Sequence, residues 1–216
     1  KVLYAGVRVL ILDEPTAMLA PQEIAQLRAL LQALSTEGAA VVFITHKLAE
    51  AVALADRVTV LRAGRVAGRL GPQELGSLHP HVVRERIIGA MFGEEAAALT
   101  GLADVMEPGE YPRAPRDLPD EPILRADGLS VKARREETGI RDVAFVVRRG
   151  EIFGVAGVEG NGQRELAEAL AGQRPLSGGR LFFAGADITR AGVFERQQAG
   201  LRFVTDDRLG EGVVTS

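Results

Sequence analysis

Val9-Leu10-Ile11-Leu12-Asp13-Glu14 is a run of branched apolar residues closed by two acids. Its length and branched content read as a buried strand. Acids at the carboxyl end of such a strand stand where open α/β sheets bind ligands. Downstream, Pro21 suits the first position of a helix, with Glu23 in its first turn. Ile24, Leu27, Leu30, Leu31 and Leu34 form one helical stripe, and Gly38 ends it. Val41–Thr45 is the next buried strand, and a second helix runs from about Leu48 to Ala55. Strand–helix–strand order predicts a right-handed crossover in a parallel sheet. Val58–Leu61 and Arg65–Ala67 flank Arg62-Ala63-Gly64 as a hairpin.

The 216 residues are 46% hydrophobic and 25% charged, ordinary values for a globular chain. A net charge of −3 argues against a nucleic-acid surface. With no cysteine, disulfides, thiolate metal sites and a cysteine nucleophile are excluded. No apolar run approaches the roughly 18 residues of a bilayer span, and no signal peptide is visible. The chain opens at Lys1, directly before an apolar strand, and stops at Val213-Val214-Thr215-Ser216, so both ends read as cuts through a longer chain.

Glycines and prolines between 93 and 120 punctuate a charged stretch that reads as a linker. Strands resume at Ile123–Ala126, Val143–Val147 and Ile152–Ala156. The last enters Gly157-Val158-Glu159-Gly160-Asn161-Gly162-Gln163-Arg164 and then a helix to Ala171. Glycines before a helix let the backbone wrap a phosphate. Against the phosphate-loop pattern G-x-x-x-x-G-K-[ST], Gly157 and Gly162 match, while Gln163 replaces the lysine and Arg164 the hydroxyl residue. The loop thus lacks a point charge for the β/γ-phosphates and a Mg²⁺ ligand; nucleotide could still bind through backbone N–H groups, with Arg164 partly replacing the charge. A plain tight turn is the alternative reading. A dinucleotide loop fails at its third glycine, where Glu165 stands. Taken singly, Asp13-Glu14 reads as well as a turn cap before Pro15, and His46 as a structural histidine.

In combination these residues carry a resemblance. Leu10-Ile11-Leu12-Asp13-Glu14-Pro15-Thr16-Ala17, followed by Ile44-Thr45-His46, resembles the Walker B strand, catalytic glutamate and switch histidine of ABC ATPases. Val58–Gly68 resembles the family's next hairpin. The resemblance implies Asp13 as the magnesium-side acid, Glu14 as general base and His46 as γ-phosphate sensor. Ala20 departs from the aspartate usual in the following loop. Arg149-Gly150-Glu151 through Gln163 is similar to the second nucleotide-binding half of tandem ABC importers, most of all the nucleoside branch, with ribose-type sugar importers as close relatives. Phe203-Val204-Thr205-Asp206-Asp207-Arg208 resembles a segment of the same halves in which an acid, here Asp206, replaces the Q-loop glutamine. Leu176-Ser177-Gly178-Gly179-Arg180 looks like the ABC signature, but its place soon after the phosphate loop reads as a hairpin turn.

The fold expected is α/β: phosphate-loop NTPase lobes with a parallel sheet and antiparallel hairpins. Residues 1–92 would be the carboxyl part of a first ATPase domain, 93–120 a linker, and 121–216 the amino part of a second. The resemblance implies ATP and Mg²⁺ as cofactors, with Gly157, Gly160, Asn161, Gly162, Gln163, Arg164 and Asp206 on the nucleotide. It further implies transmembrane permease partners, an indirect substrate-binding lipoprotein, a pseudo-dimer of ATPase halves, and a peripheral place on the cytoplasmic membrane face. A soluble ABC ATPase and a non-catalytic regulatory module are the competing classes. Two arrangements stay open: separate lobes, or one circularly permuted core with the Val9–Leu12 strand beside Ile152–Ala156. About 28 linker residues span up to ~90 Å and permit either.

Overall fold

The computed structural model describes residues 6–17, 19–93, 117–134 and 137–205. Asp206 and most of the 93–120 stretch lie outside them. In chain order the elements are β1 (Val9–Asp13), α1 (Pro21–Thr36), β2 (Ala40–Thr45), α2 (Leu48–Leu54), β3 (Arg57–Arg62), β4 (Arg65–Leu70), α3 (Pro72–Ser77) and α4 (Pro80–Phe92). Then follow β5 (Pro122–Val131), β6 (Ile140–Arg148), β7 (Ile152–Gly157), α5 (Gln163–Ala171), β8 (Gly178–Phe183), β9 (Ala186–Asp187), α6 (Val193–Gln198) and β10 (Leu201–Val204).

Six strands form one sheet in the order β10-β1-β2-β7-β3-β4, parallel throughout except for the β3–β4 hairpin. Strands from before and after the 93–120 stretch alternate in it, so of the two arrangements the sequence left open the chain takes the shared sheet. One detail is corrected. Val9–Leu12 does not lie beside Ile152–Ala156, because β2 pairs with both and stands between them. β2 is apolar on both faces and fully buried, which suits a strand with a neighbour on each side and cover above and below.

The covers follow from the two-residue strand period. Val9, Ile11, Val42, Ile44, Phe153 and Val155 face a core shared with α5 and the second sheet, an antiparallel β6-β5-β8-β9 layer. Leu10, Leu12, Val41 and Phe43 face the other way, onto Leu31 of α1 and Leu54 of α2. α4 closes a third cluster with Val83, Ile87, Ile88 and Met91 against β3. Where the sequence suggested a hairpin turn at Leu176–Arg180, Leu176 and Ser177 lead into β8 and Gly178–Arg180 are its first residues.

Polar contacts fix how the segments meet. Glu151 is fully buried, and its carboxylate takes a two-pronged grip from Arg57, at 2.7 Å from Nε and 2.9 Å from Nη2. The Arg148 N–H adds a third bond at 2.6 Å. Burial still pushes the Glu151 carboxyl up, with the Arg148 and Arg57 interactions opposing it. Next to it, buried Asp56 accepts the Ile152 N–H at 2.7 Å. These bonds pin β3 against the start of β7 at the rim opposite the acids.

Candidate functional site

The register places the site. Asp13 pairs with Ile44, Ile44 with Val155, and Thr45 with Ala156, so β1, β2 and β7 end at one level. Glu14, His46 and the loop after Gly157 therefore leave the sheet along the same rim. This is the edge at which parallel sheets bind ligands.

Asp13 is 4% exposed and ends β1. Glu14 follows with φ of +42°, a left-handed conformation that costs a non-glycine residue energy and is concentrated at functional positions. Its N–H bonds the Ile44 carbonyl at 3.0 Å, which anchors the turn. Glu14 Oε1 accepts the His46 backbone N–H at 2.7 Å and lies 2.8 Å from His46 Nδ1. A carboxylate only accepts, so Nδ1 carries the proton, and Nε2 is the polar atom His46 can turn to a ligand. The Glu14 side chain is 20% exposed and that of His46 47%, so the pair is open to solvent. Thr16 donates to Glu50, and Lys47 Nζ lies 3.4 Å from the same carboxylate, bracing the loops behind the pair. Ala20 precedes α1 without a side-chain cap, and Glu23 accepts its N–H at 2.8 Å instead.

In the Gly157–Arg164 loop, Gly162 has φ of +101° and Cβ space closed by Ile140 at 2.9 Å, so glycine is required there. Asn161 is tied to the β3–β4 turn: its Oδ1 accepts the Ala63 N–H at 2.6 Å and its carbonyl the Gly64 N–H at 3.1 Å. Gln163 is 8% exposed and folds into the loop, Nε2 donating to the Val158 carbonyl at 2.9 Å. Arg164 instead points along α5, with Nε 2.9 Å from Glu168. Glu165, just inside the helix, is buried, and desolvation raises its carboxyl.

Among the described residues no group of three or more potential ligands gathers around one point. The acids of the rim suit a metal held mainly by phosphate oxygens, since Mg²⁺ uses one or two carboxylates there. In the loop the Gln163 amide engages the Asn161 N–H and the Val158 carbonyl.

Reasoning from sequence missed two features of the rim. The clasp of Asn161 on the hairpin joins residues far apart in the chain, and only the shared sheet brings them together. The inward turn of Gln163 had no signal beyond the missing lysine.

The class is α/β, with a mixed sheet and a second, antiparallel sheet, an architecture consistent with an ABC ATPase domain. No family model matches the chain. Its sequence is 40% identical over 208 residues, 96% of the chain, to a glucose import ATP-binding protein of Haloferax volcanii. It is 37% identical over 214 residues to a ribose import ATP-binding protein of Rubrobacter xylanophilus, and 34% identical over 217 residues to a nucleoside import ATP-binding protein of Lactococcus lactis subsp. cremoris, each covering 99% of the chain. The relatives that match nearly the whole chain are thus sugar and nucleoside import ATP-binding proteins. The chain spans 34% to 38% of the length of these curated relatives.

Proposed function

We propose that the chain is part of an ATP-hydrolysing subunit that energises an importer of simple sugars or nucleosides from the cytoplasmic face of the membrane. The observation that carries the reading is the Glu14–His46 pair, held at the ligand-binding rim by a left-handed turn directly after the buried Asp13. In this reading Asp13 contributes the carboxylate on the metal side. Glu14 is the general base, placed by the His46 N–H and Nδ1. His46 presents Nε2 toward the terminal phosphate. ATP with Mg²⁺ supplies the cleavable anhydride. The loop at Gly157–Gln163 belongs to a degenerate second site that binds more than it splits, with Asp206 as its coupling acid. The named relatives, which are import ATP-binding proteins for glucose, ribose and nucleosides, support a permease partner, and no helix of the described residues is long and apolar enough to cross a membrane. The domain reading stands with it: residues 1–92 from a first ATPase domain, 121–216 from a second. Glu14 does its work with a phosphate loop that carries lysine, which Gly157–Arg164 does not.

The test is steady-state ATP hydrolysis by the intact subunit. A general base contributes roughly 10²–10⁴-fold, so Glu14→Gln should lower turnover by at least two orders of magnitude while ATP still binds. Turnover within a factor of a few of the parent would refute the assignment.

A further inference from the structure

A phosphate loop binds anions because several backbone N–H groups converge on an empty centre. Here the centre holds a side chain. Gln163 Oε1 accepts the Asn161 N–H at 3.1 Å, and Nε2 donates to the Val158 carbonyl at 2.9 Å. Gly157 makes the room: a Cβ there would lie 2.6 Å from Gln163 Nε2. Asn161 secures the arrangement from outside. Its Nδ2 also donates to the Val158 carbonyl, at 2.9 Å, while its two oxygens hold the turn at Ala63 and Gly64.

We propose that Gln163 is a built-in occupant of the loop, its carboxamide oxygen standing in for a phosphate oxygen, so that a polyphosphate binds there only by displacing it. The inference rests on reading Gly157–Arg164 as a phosphate loop. It differs from the view that the site is weak merely for want of a lysine. Under that view the glutamine is a neutral bystander, and removing it changes nothing. Under this one it competes, intramolecularly and therefore at high effective concentration, for a donor the anion needs. Deleting the amide leaves the Asn161 N–H only its longer bond to the Val158 carbonyl, at 3.3 Å, and that carbonyl also keeps Asn161 Nδ2, so the loop keeps its outer frame.

The experiment is calorimetric titration of the whole 216-residue chain with inorganic tripolyphosphate and, separately, with MgATP. Gln163→Ala should bind tripolyphosphate at least tenfold tighter than the parent, with amide shifts confined to Gly160, Asn161 and Gly162. Gln163→Glu, which keeps an acceptor in place and adds negative charge, should bind no better than the parent. Equal or weaker binding by Gln163→Ala, or tight binding by Gln163→Glu, overturns the proposal. If the alanine variant fails to melt cooperatively, Gln163→Met, which fills the space without an acceptor, is read for the same tenfold gain. The readout is anion binding rather than hydrolysis, so it can fail while the Glu14 assignment stands, and the reverse.

Discussion

Arg174 is 4% exposed and carries a charge that burial alone would disfavour. Two carboxylates compensate: Glu137 through Nη1 at 2.7 Å and Nη2 at 3.2 Å, and Glu168 through Nε at 2.7 Å. Glu137 answers in kind. The hydrogen bond from Arg174 holds its carboxyl down to about 2, against an ordinary 4.5. A carboxyl with a folded value below its unfolded one stabilises fully above the unfolded value and loses that contribution as pH falls through the folded one. The window is therefore between about 4.5 and about 2. Urea midpoints measured across it should fall with acid in the parent and fall less steeply in Glu137→Gln. Superimposable slopes for the two chains would show that the pair does not couple folding to protonation.

The β3–β4 hairpin does more than extend the sheet. Its turn lies between the Gly157–Arg164 loop and the start of β6: the Gly64 N–H reaches the Asn161 carbonyl, and the Gly64 carbonyl accepts the Arg141 N–H at 2.8 Å. Gly64 has φ of +72°, and a Cβ there would fall 1.9 Å from the Gly139 carbonyl oxygen. Gly64→Ala should thus cost about 2–4 kcal/mol through strain and displaced backbone, read as a drop in urea stability. A loss below about 0.5 kcal/mol would mean the turn is not packed there. How much of this could be read in advance varies by element. β1, β2 and β7 were plain because both faces are apolar, whereas Asp13, Glu14 and His46, each ambiguous alone, stood out only through the order and spacing in which they occur together. α4 was not read. Its buried Val83, Ile87, Ile88 and Met91 are blurred by exposed Val82 and Phe92 and by Gly89. The roles of Asn161 and Gln163 could not be read, since a missing lysine says nothing about where an amide turns or which distant hairpin it meets.

Across the molecule, the rim exists only because strands distant in the chain interleave. β7 brings the loop, β1 and β2 bring the acids and the histidine, and β2 joins them by pairing with both. Fully buried Phe43 marks how much depends on that central strand, since truncating such a residue costs about 3–5 kcal/mol. The Arg57–Glu151 grip and the Asp56–Ile152 bond lock the far end of the same junction. The most direct test is amide-to-amide nuclear Overhauser contacts in the deuterated 216-residue chain. Contacts from Val42 to Phe153 and from Ile44 to Val155 are expected, together with those from Val42 to Ile11. Retention of the β1–β2 contacts with none between β2 and β7 would contradict a rim shared by the acids and the Gly157–Arg164 loop.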